Sequence, residues 1–491
     1  PEVAIRKMTA PAVRRMRDIM FESIPLTEEL YRSEETETLC SAIFMNAYCN
    51  YPLLEGQQTN LYKCVLENGF TQLSNTGFMG LLHPEGIYDD PKGLPLRREV
   101  YPRLRYHFQY ANELCLFAEV DHHTKYGTQI YGAKQDSISF DSIHNLFHPA
   151  TIDGCFSHDG YGVCPGIKDD KNNWNITAHH DRIVHFGEDE LKVLCDTFED
   201  GGDWQTTKLT SIHANVIISV LKKLSVFARH LRDVTNKTTV ALDEAGAVNL
   251  GIMHRETKYA DLDSYEMIYS GPHFYVSNPF YKNPYQRCVV NSDYDVVSLG
   301  DISESFVPRV NYIPNKIDSE YKSMFTGLKV THNGEQESWD DWIDYYKLAF
   351  RKMVGPMSER TLSGAILPPK SSHINGVVSI IFTNYDDLIE MTALSSSIVL
   401  DFYIKTLGAQ NLQKNRLYSL PFGIDSKYRS ALYLRCLLLN CLGRSYRDLW
   451  ENSWRPEFLE QDWTLFDKRL KSVQHIIDEK NSYYIIMNIG E

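Results

Sequence analysis

The stretch from Asn60 to Gly132 decides the fold: NLYKCVLENGFTQLSNTGFMGLLHPEGIYDDPKGLPLRREVYPRLRYHFQYANELCLFAEVDHHTKYGTQIYG. Asn60 to Glu67 reads as a helix, and Gly77 ends that stretch. Phe78 to Leu82 is a short apolar run with the look of a buried strand. Arg97 to Phe108 predicts a second helix, Leu114 to Val120 a strand, and Lys125 to Gly132 another. Helices alternating with short apolar strands indicate an α/β sheet.

On the N-terminal side, Thr9 can cap a helix that carries Pro11 near its start and Arg14, Arg15 and Arg17 along it. Residues 28–50 continue in helical style through Leu30, Leu39, Ile43 and Tyr48. On the C-terminal side, residues 145–210 are rich in Gly, Asp, Asn and His and read as an irregular connection. Ile217, Leu221, Leu224 and Phe227 then form a helical stripe. Between about 237 and 315 the pattern turns β-rich, as in HFYVSNPFY and CVVNSDYDVVSL. Residues 339–354 read as helix, 376–383 as a buried strand, and Asp386–Thr406 and Ala431–Asn452 as long helices. No internal repeat of fixed period occurs.

Composition narrows the class. Of 491 residues, 43% are hydrophobic and 23% charged, which excludes a disordered chain, a collagen and a rod. No apolar run approaches the length of about 18 residues needed to span a bilayer, so no membrane partner is expected. The net charge of -14 excludes a uniformly basic nucleic-acid binder but leaves room for a local basic groove. The ten cysteines include no CxxC pair and mostly sit singly among apolar residues, which suits reduced thiols in a cytoplasmic protein. The opening PEVAIRKMTAPAVRRM lacks both Met and an apolar signal core. A processed chain or a piece of a longer one is expected, not a secretory precursor.

Four chemistries can be weighed on motifs. The segment HPATIDGCFSHDGYGVC offers zinc-type ligands in His148, Cys155, His158 and Cys164, with His179 and His180 downstream. The spacings fit no finger, and the plain alternative is a polar loop whose histidines cap turns. No GxSxG elbow marks a hydrolase; Ser395, Ser396 and Ser397 lie within a helical pattern. No GxxxxGK[ST] and no GxGxxG follows a strand, so a nucleotide fingerprint is missing. The segment GPHFYVSNPFYKNPYQRC surrounds His273, Lys282 and Arg287 with Phe274, Tyr275, Phe280, Tyr281 and Tyr285. Such rings can stack on bases while Arg and Lys reach phosphates or guanine edges. An aromatic β core would show the same composition.

At residues 60–132 the order of elements resembles the second half of an adenine-N6 DNA methyltransferase domain, the half that follows the NPPY-type catalytic motif. The family shows a helix, a glycine-bounded strand ending in Pro, an "LR" helix and a strand ending in Phe. Downstream, YDVVSLGDI resembles the opening of a target-recognition module of large Type IIG restriction and phage-defence methyltransferases. LIEMTALSSSIVLDFYIKTLG with NLQKNRLYSLPF is similar to its end, and residues 345–369 to its core strand–helix unit. The resemblance implies a multidomain α/β and α+β chain with a partial methyltransferase-type, Rossmann-like sheet. The implied divisions are 1–58 (N-terminal helical segment), 59–144 (half methyltransferase domain), 145–236 (connection), 237–425 (target recognition) and 426–491 (C-terminal helices).

The glycine-rich S-adenosylmethionine motif of FxGxG type and the NPPY motif are both absent. Asn278-Pro279-Phe280-Tyr281 lacks the second Pro and lies in the recognition region, so it is a decoy. The resemblance therefore implies part of a longer enzyme that uses S-adenosylmethionine, with no catalytic residue in this chain. Phe117 stands where the family places a ring against the flipped adenine, with Tyr126 as runner-up; either can equally be core. His83-Pro84-Glu85 falls at the rim where α/β sheets bind ligands. Lys282, Arg287, Arg309, Arg360 and Lys370 are the expected contacts to double-stranded DNA, lining one groove. Other restriction or defence subunits are possible partners. The rival reading is a non-catalytic DNA-specificity or scaffold subunit of a defence complex.

Overall fold

The computed structural model describes residue 8 and residues 10–58, 60–199, 202–261, 263–290, 292–303, 305–332, 336–355, 358–408, 411–465 and 467–489. Thr9 therefore lies outside the described residues. The fold is a multidomain mixture of α/β and α+β, divided into two units. Residues 1–196 with 201–221 form unit 1, and residues 197–200 with 222–491 form unit 2.

Unit 1 begins with two helices, α1 (Ala10–Ser23) and α2 (Thr27–Asn46), neither of which buries a residue. Helix α3 (Leu61–Gln72) starts at Asn60, whose side chain accepts a hydrogen bond from the Tyr62 N–H. Strand β1 (Phe78–Pro84) follows, then a one-turn helix α4 (Gly86–Asp89) and α5 (Leu94–Val100). The helix expected over Arg97–Phe108 is a shorter one. Pro102 cannot continue it, so α5 ends at Val100 and β2 (Leu104–Ala111) begins. The strand expected at Leu114–Val120 is instead a 3-10 turn, Asn112–Leu114, leading into bends. Strand β3 (Lys125–Gly132) lies where it was expected, and β4 (Phe140–Leu146) and β5 (Val184–Phe186) complete the sheet.

The sheet order is β1-β3-β2-β4-β5. β3 runs antiparallel between β1 and β2, β2 and β4 are parallel, and β5 is antiparallel to β4. β1 and β2 therefore point the same way, joined by a helical crossover, with a hairpin strand inserted between them. The supposedly irregular stretch 145–210 holds two helices, Ala150–Ser157 and Glu188–Phe198. The acidic first turn of the second, Glu188 to Glu190, suits the positive end of its dipole. The "LR" arginine, Arg97, is buried and serves as a brace. Its guanidinium donates to the carbonyls of Thr206 (2.7 Å), Asp90 (2.8 Å) and Ile87 (3.1 Å).

Unit 2 centres on a four-stranded sheet of Gly364–Leu367, Lys347–Arg351, Val377–Phe382 and Asn236–Thr239, in that order. Every residue of Val377–Phe382 is buried. Residues 339–354 are not a helix. They hold the end of one strand, a 3-10 turn and the strand Lys347–Arg351, whose apolar run is compatible with either element on pattern alone. The strand–helix unit expected at 345–369 is a pair of antiparallel strands. The helix expected over Asp386–Thr406 is two, Tyr385–Ser395 and Ile398–Leu407, because Ser397 caps the second by accepting from the Leu400 N–H. The expected Ala431–Asn452 helix likewise divides at Cys441–Gly443 into Ser426–Asn440 and Arg447–Ser453. Lys347 is fully buried; its ammonium donates to the carbonyls of Ser371 (2.9 Å) and Pro368 (3.2 Å).

Replacing Arg97 by Met should leave three buried carbonyls without their donor and cost about 3 kcal/mol or more. Thermal melting should show a clear loss of stability in Arg97→Met and little change in the exposed control Arg98→Met.

Candidate functional site

The alternation RYHFQY in β2 turns Tyr106 outward and buries His107 and Gln109. One face of the unit 1 sheet is therefore polar as well as buried. Glu85, just beyond the carboxyl end of β1, is the centre of it. Its carboxylate accepts from His107 Nε2 (3.0 and 3.1 Å), Gln109 Nε2 (3.0 Å) and Gln129 Nε2 (3.0 Å). His107 Nδ1 meets Ser142 Oγ at 2.9 Å, Ser142 Oγ meets His144 Nε2 at 3.2 Å, and His144 Nδ1 meets the Ile212 carbonyl at 3.0 Å. Ser142 Oγ also donates to the His107 carbonyl at 3.0 Å, so the polar chain runs unbroken from Glu85 through His107 and Ser142 to His144 and Ile212.

Burial pushes the Glu85 pKa up, but the charge of His107 and the hydrogen bonds from His107 and Gln109 outweigh it, so the carboxyl titrates below its ordinary value. Burial pushes His144 well down and His213 down to about 4. Gly127 is obligatory here, since a Cβ would overlap Glu85 Oε1 and Gln129 Nε2.

Beside this network, at the carboxyl end of β1, lies a cleft of about 560 Å³. Asn60, Tyr62, Lys63, Pro84, Gly86 and Asp90 are among its walls. Lys63 donates to Asp90 at 2.7 Å, and Tyr62 stacks on His83 with centroids 5.2 Å apart. Of His83-Pro84-Glu85, Pro84 alone walls this cleft at the strand end, the place where α/β folds seat ligands. On the other face of the sheet, Phe117 and Tyr126 meet. Their rings lie edge to face at 4.9 Å, and Tyr126 stacks on Tyr110 at 5.3 Å. Tyr126 is buried, while Phe117 is 40% exposed. Phe117 sits in a loop, not at a strand end, held by its own N–H and carbonyl to the Asn112 side chain.

In unit 2, Lys282 and Arg309 are neighbours. Arg309 donates to the Pro284 carbonyl (2.7 Å) and to Tyr259 Oη (3.0 Å), and its N–H donates to Asn283 Oδ1 (2.8 Å). Lys282 lies 5.4 Å from the Tyr281 ring, which stacks on Tyr275 at 5.0 Å. Arg351, which the sequence did not single out, covers both rings at 5.1 and 5.4 Å. Arg287 is exposed. The other two arginine and lysine positions have different neighbours. Arg360 pairs with Asp401 (3.3 Å) and donates to the Ser396 carbonyl (2.9 Å); Lys370 lies 3.8 Å from Asp263.

Among the described residues the donors of the Cys/His loop, His148, Cys155, His158 and Cys164, do not gather into one group. His148 Nδ1 accepts from the Ala150 N–H, His158 Nδ1 from the Gly160 N–H, and His179 Nδ1 from the Asp181 N–H. These histidines cap turns, the plain alternative for such a loop. Among the described residues the donors that do gather are Glu113, His122 and His123. All ten cysteines are free, and no described helix is long and apolar enough to cross a membrane.

No protein-family model matches the chain, and neither does any curated protein. Among solved structures it is similar to the type IIG restriction endonuclease BpuSI, with 10% identity and a TM-score of 0.26 over 79% of this chain. The chain spans 45% of that enzyme's length. At that identity and TM-score the likeness assigns no activity to this chain.

Glu85→Gln sets an amide N–H against three donors and should cost about 2 kcal/mol near neutral pH. The folded-state pKa of Glu85 is depressed, so the stability it supplies is complete above the ordinary value near 4.5 and is lost as pH falls through the folded value. The variant and the parent should therefore differ widely in melting temperature at pH 7 and converge as pH falls through the depressed folded value. Both should also weaken between about pH 6.5 and 4, because His144 and His213 are held neutral in the fold and charge on unfolding.

Proposed function

We propose that this chain is part of a site-specific DNA adenine-N6 methyltransferase of a cytoplasmic restriction–modification or phage-defence system. In this reading unit 1 contributes the second half of the methyltransferase domain, and unit 2 carries target recognition on double-stranded DNA. The observation that carries the reading is the condition of β1. It is an edge strand of the sheet, with Phe78 72% and Leu82 56% exposed. Sheets of α/β domains are ordinarily covered on both faces, and their edge strands are kept short, charged or covered. An edge strand this apolar suits a sheet that continues in another segment. β1 and β2, pointing the same way on either side of β3 and joined by a helical crossover, form the kind of α/β unit such a domain requires.

This chain carries neither the FxGxG nor the NPPY motif. The cleft at the end of β1 is walled by Lys63, Asp90, Pro84 and Gly86, not by a glycine-rich loop, and does not fit S-adenosylmethionine by itself. Donor binding and the reacting groups are therefore assigned to the remainder of the complete protein. This chain's contribution is a pair of rings, Phe117 against Tyr126, on which an extruded base can stack. In unit 2 the strip of Arg351, Tyr275, Tyr281, Lys282 and Arg309 combines stacking surfaces with cations, as DNA contact needs. Arg360 and Lys370, paired with Asp401 and Asp263, would have to exchange those partners for phosphates.

The test is transfer of a labelled methyl group from S-adenosylmethionine to DNA, followed by nucleoside analysis. The complete gene product should yield N6-methyladenine, residues 1–491 alone should yield none, and Phe117→Ala should lower the rate of the complete protein. Absence of methyladenine with the complete protein sinks the activity. Methylation by residues 1–491 alone sinks the division of labour.

A further inference from the structure

The loop between β2 and β3 is short of regular structure but well pinned. The Asn112 N–H donates to the Thr124 carbonyl (3.0 Å), and the Asn112 side chain donates to the carbonyls of Phe117 (2.8 Å) and Val120 (3.0 Å). Asp121 Oδ1 accepts from the His123 N–H at 2.8 Å. These bonds bring Glu113, at the start of the loop, against His122 and His123 at its end. His122 Nδ1 lies 3.1 Å from Glu113 Oε2, and His123 Nδ1 lies 3.4 Å from Glu113 Oε1. The three donor atoms lie within 4.8 Å of one another.

We propose that Glu113, His122 and His123 form a binding site for a divalent transition-metal ion, zinc being the best suited. The spacing carries the proposal. A tetrahedral ion with bonds of about 2.0–2.1 Å sets neighbouring donors about 3.3 Å apart. Each imidazole nitrogen lies near that distance from a carboxylate oxygen, His122 Nδ1 from Oε2 (3.1 Å) and His123 Nδ1 from Oε1 (3.4 Å). Two imidazoles and one carboxylate favour zinc and its transition-metal neighbours over magnesium or calcium, which require oxygen ligands. The Glu113 side chain is only 10% exposed, while His122 and His123 are 51% and 70% exposed. The anchor is thus fixed, and the solvent side stays open for a fourth ligand such as water. Binding replaces the two imidazole–carboxylate hydrogen bonds by two Nδ1–metal bonds and a carboxylate–metal bond, each neutral ring carrying its single proton on Nε2. The ion would tie the start of the loop to its end and so stiffen the segment that presents Phe117. The site stands on loop geometry alone and is independent of the methyltransferase reading.

Titration of the metal-free chain with zinc chloride by calorimetry tests it, with cobalt(II) absorption as a second readout of a tetrahedral site. The expected result is one zinc per chain, weakened at least about tenfold in His123→Ala and in Glu113→Gln, since loss of an outer partner alone costs that much. Magnesium should give no heat, and His158→Ala should bind zinc as the parent does. His123 is largely exposed, so its replacement leaves the fold intact. No zinc binding by the parent, or binding that both variants retain, overturns the proposal; the three groups are then joined by hydrogen bonds only.

Discussion

Unit 1 depends on the acceptance of several hydrogen bonds by one carboxylate. Glu85 leaves the end of β1 and takes N–H donors from His107 and Gln109 on β2 and from Gln129 on β3. Through His107 the network reaches Ser142 and His144 on β4. A single group thus ties together the ends and middles of four strands. A buried carboxylate is costly unless donors surround it, and here three side chains supply them. The arrangement fixes where β1 stops, and with it the position of Pro84 and Gly86 in the cleft wall. Unit 2 contains a counterpart of opposite charge. The Lys347 ammonium is buried among backbone carbonyls and lies 4.7 Å from the Trp342 ring. Burial pushes its pKa down to about 7.

Much of the fold was legible in residues with unambiguous periodicity. Lys125–Gly132 was read as a strand and is one, and the buried strand at Val377–Phe382 was visible from its apolar run. The misreadings have local causes. Leu104 to Tyr110 carries large aromatics at spacings compatible with helix or strand, and Pro102 was the signal that should have decided it. Ser397 read as one residue in a helical stripe, whereas its side chain caps a new helix. The Lys347–Arg351 run was short enough to pass for part of a helix.

The candidate sites were legible to different degrees. His83-Pro84-Glu85 was placed at the rim of the sheet, yet the partners of Glu85 could not be read from the sequence. His107 and Gln109 alternate with Tyr106 and Phe108, so they look like the wet face of a strand; only tertiary packing buries them. Glu113, His122 and His123 were passed over in favour of the richer Cys/His loop near 148–180, where the ligand types are present but turn capping consumes them. Convergence of donor atoms is a property of backbone turns, not of residue counts, so composition alone does not show where they gather. Arg351 escaped notice for a similar reason: it reaches the tyrosine pair from a distant strand.

The account turns on β1 being an inner strand of a larger sheet. Among the described residues no strand lies beside its outward-facing amides. Hydrogen–deuterium exchange across Phe78–Pro84 tests this directly by comparing residues 1–491 with the complete gene product. The account predicts that these amides exchange far more slowly in the complete protein, where a further strand pairs with the open edge. Equal exchange in the two would contradict it, leaving β1 as a true sheet edge and unit 1 as a finished domain.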